Sequence, residues 1–214
     1  MSDAQIQAVI FDNDGTLVDS ETLSIAVLVE YVNEFGYEIE LADAMASWAG
    51  GELPKIFTKV ETELGITLPE DHLDQFRGRQ MAKLATDVQP IPGAVEMLKS
   101  LSLPYCVASN APLNKMGLCL DTTGLAKFFP DDRRFSAYSI EKWKPEPDLF
   151  LMAAAAMGIE PDRCAVLEDS LYGVEAGLNA GMQVFAFDPK TELEIPDGVT
   201  RVCSLDQFVP MLTP

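Results

Sequence analysis

Two aspartates, Asp12 and Asp14, stand two positions apart directly after the apolar run Ala8-Val9-Ile10-Phe11. Alternation along an extended chain tends to aim them toward the same side. Carboxylates held that close repel, and one is driven toward its neutral form unless a cation compensates. Chemistry that uses such a pair includes a nucleophile beside a proton donor, or a shared site for a hard metal ion. Asn13-Asp14-Gly15 is also good turn chemistry, so the pair by itself leaves both a loop and an active site open.

Three later segments carry residues of matching type. Ser109-Asn110 follows the apolar run ending at Ala108, where a helix begins. Helix N-termini offer free N–H groups and partial positive charge, which suit phosphate, although a serine there is also an ordinary cap. Lys144 is confined by Pro145 ahead of a helix and can reach a cleft, whereas Lys142 reads as a solvated surface lysine. Cys164 to Leu167 ends in Glu168-Asp169-Ser170, a second acidic cluster, any part of which could cap a helix. Taken together, two runs ending in acids, one ending in serine and a nearby lysine form a consistent set. Oxygen donors of this kind suit Mg²⁺, which keeps waters and takes few protein ligands. Serine, lysine and amide N–H groups suit a phosphoryl group, so the set fits phosphoryl transfer.

The elements that must position these groups are legible in the periodicity. Short apolar runs at 8–11, 105–108, 135–137, 164–167 and 184–187 read as strands, with helices at 94–101, 147–157 and 170–180 between them. This alternation predicts an α/β fold with a doubly wound, mainly parallel sheet, in which ligands sit at the carboxyl ends of strands. Residues 19–87 break the pattern. Leu28, Tyr31, Val32 and Phe35, then Leu53, Ile56, Phe57, Val60 and Leu64, fall at helical spacing, with Gly36 and Gly65 as stops. A third helix is expected from Pro69 to about Ala85, with Leu73, Phe76, Met81 and Leu84 inward. The expected domains are therefore a core of residues 1–17 and 88–214 and an inserted helical domain of residues 18–87.

In this order the four segments resemble the four motifs of the haloacid dehalogenase-like superfamily, phosphatase branch, across the whole chain. The match rests on Asp12 to Glu21, Ala108-Ser109-Asn110, Lys144-Pro145, and Glu168-Asp169-Ser170 with Gly173. The resemblance implies a Rossmann-like core with the helical insertion as a C1-type cap. It implies that Asp12 attacks phosphorus to form an aspartyl-phosphate, and that Asp14 protonates the leaving oxygen and then activates water. Mg²⁺ would be bound by Asp12, the backbone carbonyl of Asp14 and Asp169, with Glu168 beside it. Ser109 and Lys144 would hold the phosphate, with Asn110 also on the substrate and Lys144 steadying Asp12. Within the superfamily, Cys106 to Met116 and Trp143-Lys144-Pro145 resemble the bacterial 6-phosphogluconate phosphatase group. Many relatives have glycine where Trp143 stands. The expected substrate is a small phosphorylated metabolite, a sugar phosphate or sugar-acid phosphate.

A sugar phosphomutase shares this core and cap. It usually carries an arginine just after the cap glycine, where this chain reads Gly50-Gly51-Glu52-Leu53-Pro54-Lys55. Trp48 to Lys55 is the candidate substrate-contacting segment of the cap, with Glu52 and Lys55 as its polar members, and the plain alternative is an interhelical turn. Dehalogenase chemistry does not use an acid at the place of Asp14. Receiver-type signalling domains are shorter and order their acids and lysine differently. The crossings near Leu17-Val18 and Val88-Gln89-Pro90 are the expected hinges.

Composition excludes other classes. Fifteen Lys and Arg against 34 Asp and Glu give a net charge of −19. That balance argues against nucleic acid or an anionic membrane as partner, and an anionic substrate needs local cations. Four scattered cysteines form no Cys-x-x-Cys pair, and Cys106 and Cys164 read as buried thiols of a reducing compartment. The single His72 reads as a surface histidine. No leader and no apolar run of membrane-spanning length is apparent. A cytoplasmic monomer is the default expectation.

Overall fold

Apolar runs buried along nearly their whole length pair side by side in a parallel sheet. The computed structural model describes residues 5–48 and 51–212. Among these, six strands run in the order β3-β2-β1-β4-β5-β6: β1 Ala8–Phe11, β2 Tyr105–Ser109, β3 Arg134–Ser136, β4 Cys164–Glu168, β5 Gln183–Phe187 and β6 Thr200–Val202. Every pairing is parallel, with Ile10 of β1 opposite Cys106 on one side and Val166 on the other. The order reverses around β1: the chain moves outward through β2 and β3, then returns to β4. A crevice forms at such a reversal, beyond the carboxyl ends of the strands. The architecture is the doubly wound α/β fold expected from the alternation of runs.

The chain divides into two compact units, Met1–Val18 with Gln89–Pro214, and Asp19–Val88. In the α/β unit, Phe11 makes edge contacts with Tyr105, Phe129 and Phe208 at centroid distances of 6.0, 6.3 and 5.9 Å. A second cluster on Ala8 and Ile10 packs Leu149, Phe150 and Ala153 of α7 (Asp148–Met157) against Val166. Helix α5 (Ala94–Ser100) precedes β2, and α6 (Leu113–Thr122) and α8 (Leu171–Asn179) follow β2 and β4. The short β6 lies outside the sequence expectation. It is three residues long with only Val202 buried, too little for a periodic signal.

The helical unit comprises α1 (Glu21–Asn33), α2 (Leu41–Trp48), α3 (Leu53–Leu64) and α4 (His72–Asp87). Its core centres on Tyr31, Phe57 and Phe76, whose rings meet at 5.9 to 6.3 Å. Gly65 closes α3 in the left-handed region at φ 65°, as its placement after Leu64 predicts. Helix α2 is a correction: only Ala44 and Trp48 are buried on it, with Met45 half-buried against the same core, too sparse to read as a stripe. His72 is another, since it is half-buried, with its ring 4.8 Å from that of Phe57 and Nδ1 2.8 Å from the Pro69 carbonyl oxygen. The third expected helix starts at His72 rather than Pro69, and Phe76 and Leu84 are buried while Leu73 and Met81 are half-buried.

Candidate active site

Asp12 leaves β1 with its backbone N–H bonded to the Leu167 carbonyl of β4 at 3.0 Å, so the adjacent strands set its position. The chain then folds tightly. The Asn13 carbonyl accepts from the N–H groups of Leu17 and Val18, both at 3.0 Å. Gly15 takes φ 91°, a conformation costly for any residue with a Cβ. A Cβ there would also lie 2.0 Å from Oδ2 of Asp169, so this carboxylate rests directly against the turn. Thr16 donates its hydroxyl to Asp169 Oδ1 at 2.9 Å, tying the loops after β1 and β4 together. Asn13 is fully buried, and its side-chain amide meets no hydrogen-bonding partner among the described residues; its carbonyl shapes the loop instead.

Lys144 is the centre of the buried charge. Its Nζ bonds Asp12 Oδ1 and lies 2.6 Å from Glu168 Oε1, with side-chain exposures of 3%, 7% and 2% for the three residues. The ammonium also sits 4.9 Å from the Phe150 ring centroid. Burial alone would lower the Lys144 pKa, but Asp12 and Glu168 hold it above the ordinary lysine value. The other oxygen of Glu168 accepts from the backbone N–H and the hydroxyl of Ser170, each at 2.8 Å. Ser170 also caps α8, accepting from the Gly173 N–H at 3.1 Å. Glu168 is therefore held at both oxygens. The exposed Lys142 takes the solvated role expected of it.

On the β2 side, the Ser109 hydroxyl donates to Asp14 Oδ2 at 3.1 Å and accepts from the Ala111 N–H at 2.9 Å. Asn110, expected on the substrate, accepts at its Oδ1 from the Lys144 backbone N–H at 3.0 Å. It thereby joins the β2 loop to the lysine loop. Asp14 Oδ1 meets a residue absent from the sequence expectation, Lys115, at 2.6 Å. Lys115 lies in the first turn of α6, where the helix dipole disfavours a cation. That misplacement was the available signal for a nearby acid. Asp14 pulls the Lys115 ammonium above its usual pKa against the opposing effect of burial.

The charges test the fit of a metal. Four carboxylates, Asp12, Asp14, Glu168 and Asp169, face two ammonium groups, Lys144 and Lys115. Burial pushes Asp12 up to about 8; Lys144 opposes the shift, while Glu168 and Asp14 add to it. A nucleophilic carboxylate needs to be ionised near neutral pH, and a divalent cation would restore that charge. The donors are all hard oxygens, which suits Mg²⁺. Among the described residues no three acidic, histidine or cysteine side chains form a ready-made metal cage.

The expected helical-domain residues Glu52 and Lys55 belong to the other unit, both exposed and paired with each other at 2.5 Å. Trp48 is 3% exposed within the core of that unit, and Ala49 and Gly50 of the candidate segment lie outside the described residues. The cysteines Cys106, Cys119 and Cys164 are free and buried, and Cys203 is exposed. No described helix is long and apolar enough to cross a membrane.

Comparison with known proteins adds four findings. A family model described as haloacid dehalogenase-like hydrolase matches residues 6–181. The chain is 35% identical over 208 residues to the 6-phosphogluconate phosphatase of Escherichia coli (strain K12), covering 96% of this chain and 94% of that one. Among solved structures, a haloacid dehalogenase-like protein of unknown function from Agrobacterium tumefaciens superposes with a TM-score of 0.84 at 30% identity, covering 97% of both chains. A HAD family hydrolase from Deinococcus radiodurans, solved with bound phosphate and sodium, gives 0.81 at 30% identity, over 98% of this chain and 96% of that one.

Proposed function

The chain belongs to the haloacid dehalogenase-like hydrolase family, a phosphoric monoester hydrolase within it, and we propose that it hydrolyses a small sugar phosphate or sugar-acid phosphate through an aspartyl-phosphate with Mg²⁺. The observation that carries this reading is the buried Lys144 bridge between Asp12 and Glu168, with the Ser109–Asp14 hydrogen bond beside it. Two carboxylates, a hydroxyl and a fixed cation thus meet at one end of the sheet, which supports reading Asp12 as the nucleophile and Asp14 as the proton carrier.

Asp12 attacks phosphorus while Lys144 holds its carboxylate and neutralises charge on the phosphoryl oxygens. Ser109 turns its hydroxyl from Asp14 to a phosphoryl oxygen. Asp14 gives a proton to the departing ester oxygen, then takes one from the water that cleaves the aspartyl-phosphate. Asp12, Asp169 and the Asp14 carbonyl, with Glu168 beside them, would hold Mg²⁺, which would supply charge neutralisation at the phosphoryl group. The named activity of the Escherichia coli relative favours 6-phosphogluconate among the substrates.

A panel of phosphorylated sugars and sugar acids, run with Mg²⁺ and with EDTA, tests the reading. Glucose 1-phosphate with a trace of bisphosphate belongs in it, because isomerised product rather than free phosphate would reveal a mutase. Asp12→Asn should fold normally and lower turnover by about 10⁴-fold or more. Appreciable phosphatase activity in that variant sinks the nucleophile assignment.

A further inference from the structure

Lys115 is a second ammonium at the site, and the reaction derived above gives it no contact with the substrate. It projects from the first turn of α6, with its side chain 18% exposed. Lys144 is only 3% exposed and gives two of its donors to Asp12 and Glu168. A lysine ammonium carries three N–H donors. Among the described residues that of Lys115 makes one hydrogen bond, to Asp14 Oδ1 at 2.6 Å. Its remaining donors sit on a side chain that solvent still reaches.

We propose that Lys115 recognises the substrate, donating to an oxygen on the carbon next to the ester carbon. This rests on the phosphatase reading and narrows its substrate class. The placement follows from Asp14, whose Oδ2 accepts from the Ser109 hydroxyl at 3.1 Å while Oδ1 accepts from Lys115. Ser109 marks the phosphoryl group, and the leaving ester oxygen has to come within about 2.6–3.2 Å of Asp14. The ammonium, 2.6 Å from the same carboxylate, is therefore a neighbour of that ester oxygen. An oxygen on the adjoining carbon lies beside the ester oxygen and within reach, whereas each further carbon carries its oxygen away. An ammonium only donates, so its partner must accept: a hydroxyl, a ring oxygen or a carboxylate. A 6-phospho sugar or sugar acid has such an oxygen at C5, and a simple alkyl phosphate has none.

One missing oxygen tests this. The best ester of the sugar-phosphate panel is compared with its analogue lacking the oxygen next to the ester carbon, which for 6-phosphogluconate is the 5-deoxy compound. Phosphate release gives kcat/KM for wild type, Lys115→Met and Lys115→Arg on both esters. Wild type should prefer the parent ester by about 10- to 100-fold, the range of a hydrogen bond to a charged group. Lys115→Met should reduce that preference to about threefold or less, and Lys115→Arg, which keeps the charge and the donors, should hold most of it. Damage to Asp14 or to the fold lowers both esters alike and cancels in the ratio, so a merely structural lysine leaves the preference unchanged. A wild-type preference below about threefold, or one that survives in Lys115→Met, overturns the proposal. If wild type releases phosphate from no ester of the panel, the phosphatase reading itself fails, and the role of Lys115 goes with it.

Discussion

Gly173 and Gly78 both lie inside helices, yet replacing each with alanine should shift stability in opposite directions. Alanine is favoured over glycine in a helix interior by about 1 kcal/mol. At Gly78 in α4 an added Cβ meets nothing within 4 Å, so Gly78→Ala should realise most of that gain. At Gly173 in α8 the added Cβ would lie 1.9 Å from both Cδ and Oε1 of Glu168. Glu168 cannot simply yield, because Lys144 holds one oxygen and Ser170 the other in a side chain 2% exposed. Relief of the clash requires breaking the buried Lys144–Glu168 pair, a loss of about 3–5 kcal/mol. Setting the helix gain against that loss leaves Gly173→Ala destabilised by about 2–4 kcal/mol. The thermal midpoint should fall by about 5–15 °C, while Gly78→Ala should raise it by about 2–4 °C. Both are read by circular dichroism melts in EDTA, so that metal binding does not enter. The decisive comparison is a double-mutant cycle. In a Glu168→Ala background the obstacle is gone, and Gly173→Ala should then stabilise like Gly78→Ala. An equal cost of Gly173→Ala in both backgrounds would refute the argument.

Two further outcomes are expected. Asp12 titrates at about 8 in the folded protein against an ordinary 3.8, so the folded state binds the extra proton between those values. Its contribution to stability is full below pH 3.8 and is lost as pH rises through about 8, and urea melts of metal-free protein should show that decline. Asp12→Asn should flatten it, and saturating Mg²⁺ should reverse it; a metal-free profile unaffected by Asp12→Asn speaks against the assignment. Lys55 and Glu52 are exposed and bonded to each other, so Lys55→Ala and Glu52→Ala should leave the melting midpoint within about 2 °C. If these residues choose the substrate, as their place in the candidate cap segment leads one to expect, relative kcat/KM values across the sugar-phosphate panel should shift at least about tenfold. Unchanged ratios remove them from the site.

How much of this was legible beforehand differs between the two levels of structure. The strands ending in Asp12, Ser109 and Glu168 could be read because a buried strand announces itself as a continuous apolar run, a wholly local signal. Gly65 as a helix stop was equally local, adopting the left-handed turn that ends α3. Helix α2 escaped because two inward residues leave no periodicity to detect. His72 escaped because its partner, Phe57, lies on a different helix.

From its amino-acid order alone, this chain declares the fold class and the reactive residue types at the strand ends, since hydrophobic pattern and turn chemistry act over a few residues. The tertiary structure alone decides the pairing. Lys144 reaches Asp12 across 132 residues of chain, Lys115 reaches Asp14 across 101, and Asp169 settles on Gly15. Those contacts follow from the parallel register of β1 with β2 and β4, which brings distant loops to one edge of the sheet. Separation along the chain carries no trace of which carboxylate a lysine will meet; electrostatics acts only once folding has brought the two within a few ångströms.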